Sequence, residues 1–364
     1  MYRKIEDYLK NYFSSKEEKI LVIDGARQVG KTYIIEKIGK EYYPNFISIN
    51  LDADNKGDKV FEDVKTCDDF YIQLSALYGN KLNTRDDTLI FIDEISIYPQ
   101  FFSLLKQLRI DNKYRYICSG SLLGIELLKT GLTPMGSIIR KEMYPMDFEE
   151  FLIANNFGKD AIEHVRQSYE NKTSLNESLH NTLLNYFLTY LYVGGLPDAV
   201  KSYVEEKNVF KIKEIQKDIY DFYSDDAAKY DLENRLKIKR IYEMMISSID
   251  NKVKRIKYSD INDNKKDSFS NYAEEFDYLI NSGIALACNA VSEPKFPLAQ
   301  SSVKNLIKLY MNDVGLLSYL LYRNNINAIL KSKTGVNLGA IYETVVSQEL
   351  KAHGHDLFYY DRRK

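Results

Sequence analysis

Residues 25–32 read Gly25-Ala26-Arg27-Gln28-Val29-Gly30-Lys31-Thr32, the spacing G-x-x-x-x-G-K-[ST]. These residue types in this order suit a chain of phosphates. Gly25 and Gly30 carry no Cβ, so the backbone can turn through positive φ and present successive N–H groups to anionic oxygens. Lys31 supplies a charge for the β- and γ-phosphates and Thr32 a hydroxyl for Mg²⁺, while a helix opening here turns its positive end toward the anion. The nucleotide-binding candidates are these eight residues together with Tyr33.

A second group, Asp93 and Glu94, closes the apolar run Leu89-Ile90-Phe91-Ile92. In a parallel sheet, ligands bind beyond the carboxyl ends of the strands. Asp93 is expected to hold Mg²⁺ through water, and Glu94 to orient and deprotonate the attacking water. Ser119-Gly120-Ser121 follows a third apolar run, 114–118. Ser119 or Ser121 could reach the γ-phosphate, or the serines could cap a helix beginning at Leu122. Hydrolysis also calls for a cation on the developing charge, with Arg140 the first candidate and Arg115 the second; either reads equally as a salt-bridge partner.

Elements must hold these groups. A helical period over 2–13 (Ile5, Tyr8, Leu9, Tyr12) precedes a buried strand at 19–24, and 32–38 continues as a helix. Strands are expected at 46–51, 89–92, 114–118 and 136–143, and a helix over 61–78. The polar stretch with Asp52, Asp54, Asn55, Lys56 and Gly57 reads as a loop by composition. Asp147 and Glu150 stand in capping-box spacing ahead of a helix at 148–152. Residues 161–223 carry repeated helical spacings, broken at Gly194-Gly195-Leu196-Pro197.

Beyond 236 the pattern is helix (238–249), a short helix at Asp260-Ile261, helix (268–282) and strand (284–287), the order of a winged helix. Lys252, Lys254, Arg255, Lys257, Lys265 and Lys266 could neutralise phosphates of double-stranded DNA, whereas Glu274, Glu275 and Asp277 on the last helix would repel them. A protein partner is the other reading. A helix at 339–350 and a strand at 356–360 close the sequence; His353 and His355 read as a solvated loop, with no other metal ligands close in sequence.

Composition bounds the rest. The 364 residues suggest two or three domains, and 45% hydrophobic with 28% charged residues is a globular composition. With 50 basic and 52 acidic residues, no global field favours nucleic acid. Cys67, Cys118 and Cys288 make neither a disulfide framework nor a metal spacing, which favours a reducing cytoplasm. The first residues lack a signal-peptide core, and no window reaches the roughly 18 apolar residues of a membrane span.

The phosphate loop, the 89–94 strand, Ser119-Gly120-Ser121 and the block Met143-Tyr144-Pro145-Met146-Asp147-Phe148-Glu149-Glu150-Phe151-Leu152 together resemble prokaryotic AAA-type ATP-binding proteins whose ATPase domain precedes a C-terminal domain of unknown function. Tyr192-Val193-Gly194-Gly195-Leu196-Pro197-Asp198-Ala199-Val200 and Leu309-Tyr310-Met311-Asn312-Asp313-Val314-Gly315-Leu316-Leu317 resemble two further signatures of that family. The resemblance implies an α/β P-loop core of strand order 5-1-4-3-2, then a helical lid, a winged helix and, in many members, a restriction-endonuclease-like end. Glu343 would match that end's helical acidic residue, but the later acidic and Glu-x-Lys motifs are missing, so no nuclease activity is expected of this sequence.

The domains expected are an ATPase core at 1–155, a helical lid at 156–232, a winged helix at 233–325 and the start of a nuclease-like domain at 326–364. The function expected is Mg²⁺-dependent ATP hydrolysis linked to a partner or DNA, in a cytoplasmic protein that can form a homo-oligomer. The rivals are a nucleotide-dependent scaffold with negligible turnover and a DNA-binding regulator.

Overall fold

In the computed structural model, which describes residues 1–121, 136–230, 235–250, 256, 258–262, 268–322 and 338–360, the apolar runs of the first 143 residues become strands. They are β1 (Ile20–Asp24), β2 (Asn45–Asn50), β3 (Thr88–Asp93), β4 (Arg115–Gly120) and β5 (Ile138–Glu142). All pair in parallel, in the order β2-β3-β4-β1-β5, which is 5-1-4-3-2 from the opposite edge. Every residue of β1, β3 and β4 is buried, as strands covered on both faces must be. β5 lies at an edge, with Ile138 and Ile139 half-buried and Arg140, Lys141 and Glu142 exposed.

Helices α1 (Ile5–Ser14), α2 (Lys31–Tyr42), α3 (Leu51–Lys56), α4 (Cys67–Tyr78) and α5 (Gln100–Asp111) belong to this unit, Arg3–Met143. Helix α1 buries Ile5, Leu9, Tyr12 and Phe13, the face its period marked. Its Tyr12 hydroxyl donates to the Lys19 carbonyl at 2.8 Å and accepts the Leu21 amide at 3.1 Å, tying the helix to the entry of β1. Helix α4 begins at Cys67, later than expected, because Thr66 and Asp69 form a capping box there. On the other side of β3, Phe61, Phe70, Phe101 and Phe102 fill the core with Ile90 and Ile92.

The polar stretch read as a loop is α3. Its N-cap Asn50 accepts the Ala53 amide at 2.8 Å, Leu51 is fully buried, and Asp52 and Asp54 lie in the first turn, where the helix dipole favours them. The strongest cap sat one residue inside the expected strand.

The second unit contains Met1–Tyr2 and the chain from Tyr144 onward. Helices α6 (Phe148–Ala154), α7 (Lys159–Glu170), α8 (Glu177–Val193), α9 (Pro197–Glu206), α10 (Val209–Tyr230), α11 (Arg235–Asp250) and α12 (Ala273–Asn281) lead to β6 (Ala285–Val291) and β7 (Ser302–Met311). Helices α13 (Val314–Tyr322) and α14 (Gly339–Ala352) and strand β8 (Leu357–Tyr360) follow. Strand β6 pairs antiparallel with β7 and parallel with β8, with an irregularity at Asn289/Ala290.

Helix α6, counted with the core in the 1–155 reading, lies in this second unit. The capping box holds: Asp147 accepts the Glu150 amide at 2.8 Å, and Glu150 accepts that of Asp147 at 3.2 Å. The segment expected to open a separate nuclease-like domain is built into the same unit. Strand β8 hydrogen-bonds to β6, and α14 packs on α13 and on all three strands.

The Gly-Gly break after α8 is a close-packing device. A Cβ on Gly195 would lie 2.0 Å from the Met146 carbonyl oxygen, across a pairing in which Met146 donates to Gly195 O at 2.7 Å. The same turn is held by Asp313, whose carboxylate accepts the Gly195 amide at 2.6 Å and caps α13 through Leu316. The two remote signatures therefore meet here, as a buried polar join between α8 and α13.

Candidate functional site

The candidate site stands at the carboxyl ends of β1, β3 and β4, where the parallel sheet places all three groups singled out in the sequence. Strand β1 ends at Asp24; the loop then turns through Gly25 (φ 146°), Gln28 (φ 66°) and Gly30 (φ 94°) before α2 starts at Lys31. At Gly25 a Cβ would fall 2.2 Å from the Met143 carbonyl oxygen, so the first loop position accepts no side chain. Ala26 and Val29 are buried and fix the loop to the core, while Tyr33 is 63% exposed on the outer face of α2.

Lys31 is 5% exposed and spans the loop, its ammonium donating to the carbonyls of Gly25 at 2.8 Å and Ala26 at 2.9 Å. Burial pushes its pKa down; Glu94, Asp24 and Asp93 act in the opposite sense.

Asp93 is the hub. Its Oδ2 accepts the Thr32 hydroxyl and the Asn50 side-chain amide, each at 2.9 Å, and its Oδ1 accepts the Ser119 hydroxyl. Strands β2 and β4 and helix α2 thus each send one side chain to the single carboxylate that ends β3. Hydroxyl and carboxylate oxygens converging in this way are the hard donor set that Mg²⁺ prefers, so the residues present fit that ion.

Glu94 leaves the strand in a left-handed conformation, φ 54° and ψ 48°. That turn aims its carboxylate away from the sheet and toward the loop. Glu94 Oε2 accepts the Ser121 hydroxyl at 3.3 Å, and Ser121 Oγ accepts from Arg27 Nε at 3.4 Å. Burial raises the pKa of Glu94, against the lowering influence of Lys31 and Arg27. Ser119 and Ser121 therefore have different jobs: the first holds Asp93, the second holds Glu94. The helix-cap reading of these serines falls on residues 122–125, outside the described residues.

The arginine candidates divide. Arg140, on β5, pairs with Asp24 and lies 3.7 Å from Glu142. Asp24 is 2% exposed, its pKa raised by burial and drawn back by Arg140, and its Oδ1 accepts the Gly25 amide at 2.8 Å. Arg140 is thus held beside the first residue of the loop by its ion pair with Asp24. Arg115 is buried at the opposite end of β4, donating to the Tyr12 carbonyl at 3.0 Å and lying over the Tyr12 ring at 4.7 Å. It is a core arginine joining β4 to α1, and leaves the list of candidates.

Two contributors escaped sequence reasoning. Asn50 carries a readable signal, a polar residue at the carboxyl end of a parallel strand. Arg3 carries none: its guanidinium donates to the Val29 carbonyl at 2.8 Å, bracing the loop from α1's approach.

Residues 17–152 match the family model described as an AAA domain, and residues 184–327 match one described as a domain of unknown function (DUF8612). No curated protein sequence matches the chain. Among solved structures, the Walker-type ATPase PABY2304 of Pyrococcus abyssi is similar at 14% identity, with 88% of this chain and 95% of that one covered and a TM-score of 0.51. The likeness is one of fold. ORC1 of Aeropyrum pernix in complex with DNA overlaps at 12% identity, 91% coverage of each chain and a TM-score of 0.33. AMPPCP-bound DnaA of Aquifex aeolicus overlaps at 13% identity, covering 75% of this chain and 84% of that chain, with a TM-score of 0.32.

Proposed function

We propose, from the premise of an AAA-type P-loop ATP-binding domain in the first part of the chain, that this protein hydrolyses ATP to ADP and phosphate and couples the cycle to a partner. The observation that supports hydrolysis, rather than binding alone, is the separation of the two adjacent carboxylates. Asp93 is committed to Thr32, Asn50 and Ser119, while Glu94 is turned out of the strand and kept near Lys31 by Ser121 and Arg27.

In this reading the backbone amides from Gly25 to Thr32 and the start of α2 receive the phosphates. Lys31 exchanges its two loop carbonyls for phosphate oxygens. Thr32 and Asp93 would hold Mg²⁺, which when bound neutralises charge between the β- and γ-phosphates. Glu94 accepts a proton from the attacking water, and Ser121 keeps its carboxylate oriented. The acceleration comes from positioning and charge stabilisation. Turnover of ATP by wild type, Lys31→Ala and Glu94→Gln tests the assignment. Loss in both variants is expected, and wild-type turnover in Glu94→Gln would refute the role of Glu94.

For the partner, the reading remains a lid at 156–232 and a winged helix at 233–325. The sequence α11, α12 and the β6–β7 hairpin supplies helices followed by a two-stranded wing. A protein partner is favoured over DNA by α12, where Glu274 and Asp277 put negative charge on the candidate recognition helix, while Glu275 is buried and paired with Lys237. Lys252, Lys254, Arg255, Lys257, Lys265 and Lys266 all lie outside the described residues. Duplex DNA added to the turnover assay separates the two: no binding and no stimulation are expected. No helix among the described residues is long and apolar enough to cross a membrane.

A further inference from the structure

Three side chains of the second unit that take no part in nucleotide chemistry converge at one point. Asp147 Oδ1 is occupied as the cap of α6, accepting the Glu150 amide at 2.8 Å, and Oδ2 lies 3.5 Å from His353 Nε2. Glu349 lies in the last turn of α14, and His353, four residues on, is the C-cap of that helix on the same side. Glu349 Oε1 accepts the Phe148 amide at 2.8 Å and the Tyr190 hydroxyl at 3.3 Å. One ligand atom from each of the three residues lies within 4.8 Å of the others.

The imidazole is oriented for coordination. His353 Nδ1 sits 2.7 Å from the Glu349 carbonyl, an atom that can only accept, so the proton belongs on Nδ1 and the Nε2 lone pair faces the carboxylates. A carbonyl behind the distal ring nitrogen is the usual support of a metal-binding histidine. Two donors about 2.0–2.1 Å from one ion in a tetrahedron stand about 3.3 Å apart, close to the Nε2–Oδ2 separation found here. The competing arrangement is an imidazolium ion pair. It engages Asp147 alone, whereas a divalent ion takes a donor from all three residues.

We propose that Asp147, Glu349 and His353 form a Zn²⁺ site that clamps the start of α6 to the end of α14. One nitrogen and two oxygen donors suit a borderline ion better than Mg²⁺ or Ca²⁺. Asp147 is buried, Glu349 half-buried and His353 exposed, so the fourth position opens to solvent. The site needs no nucleotide, and its test stands apart from the ATPase reading.

The full chain is titrated with ZnCl₂ by calorimetry, and with CoCl₂ by visible absorption, in an Asp93→Asn background that removes the carboxylate hub of the phosphate site. One ion per chain is expected, with a rise in melting temperature and a tetrahedral Co²⁺ spectrum. His353→Gln should weaken binding at least tenfold and abolish the thermal shift, while His355→Gln changes neither. His353 is exposed, so its variant is expected to melt like the parent without metal; Glu349→Gln, which keeps an acceptor for Phe148, is the second variant. Absence of stoichiometric binding, or equal binding by the parent and His353→Gln, would overturn the proposal.

Discussion

Glu94→Gln isolates the group on which the proposed chemistry depends. The substitution keeps the side-chain length and an oxygen that can accept the Ser121 hydroxyl, so the left-handed turn and the loop contacts persist. What disappears is a base, and with it a negative charge facing Lys31 and Arg27. Removing a positioned general base costs about 10²–10⁴ in rate, or roughly 3–5 kcal/mol of barrier. ATP affinity should hold or rise, since the phosphates no longer face that carboxylate. The assay is single-turnover hydrolysis beside equilibrium binding of a fluorescent ATP analogue. A hundredfold or greater loss of rate with affinity no more than threefold weaker is expected. A rate within threefold of wild type would show that water is activated elsewhere, and the division of labour between Asp93 and Glu94 would be wrong.

The remaining expectations concern the supports. Gly195→Ala sets a Cβ 2.0 Å from a backbone carbonyl, so the turn must shift and break the Met146–Gly195 pairing; about 3 kcal/mol or more should be lost, read from the urea midpoint. Asp313 is wholly buried and its pKa is raised from 3.8 to about 6, chiefly by burial. Its contribution is therefore fully present below the unfolded pKa and is lost as pH rises through about 6. Between pH 4 and pH 7, wild type should lose roughly 2–3 kcal/mol more than Asp313→Asn in paired urea titrations; parallel curves would refute the assignment. Arg140→Met should raise KM for ATP more than it lowers kcat, because it frees Asp24 beside the loop and removes no group from the chemistry. An equal fall in kcat and kcat/KM would instead restore Arg140 as a catalytic residue.

The site was legible to the extent that its residues are local to strand ends. A phosphate loop is a backbone device written in consecutive residues, and a buried parallel strand is a continuous apolar run, so Gly25 to Thr32, Asp93 and Glu94 could be found without coordinates. Partnership was less legible. Ser119 and Ser121 look alike in sequence, and strand alternation alone would put residues two apart on one face; because β4 ends at Gly120, the chain has left the strand at Ser121, and one serine meets Asp93 while the other meets Glu94. Arg140 and Arg115 both suggested charge stabilisation, and only the register of β5 on β1 and the packing of α1 show that each already has a structural partner.

The second unit was harder to read for a physical reason visible in its polar join. Helical period reports which residues are apolar, and so located α8, α9 and α11. It does not report which buried polar groups answer each other. Gly195, Asp313 and Met146 belong to segments far apart in sequence, and each is intelligible only once the other two are beside it. His353 makes the same point more sharply. It stands exposed in the turn after α14, as its neighbours in sequence suggested, with Glu349 one helical turn away. The missing term was Asp147, placed opposite by the contact of Phe148 with Glu349. An i, i+4 pair of potential ligands on a helix is common, and what lends this one meaning is the capped helix end that the fold sets against it.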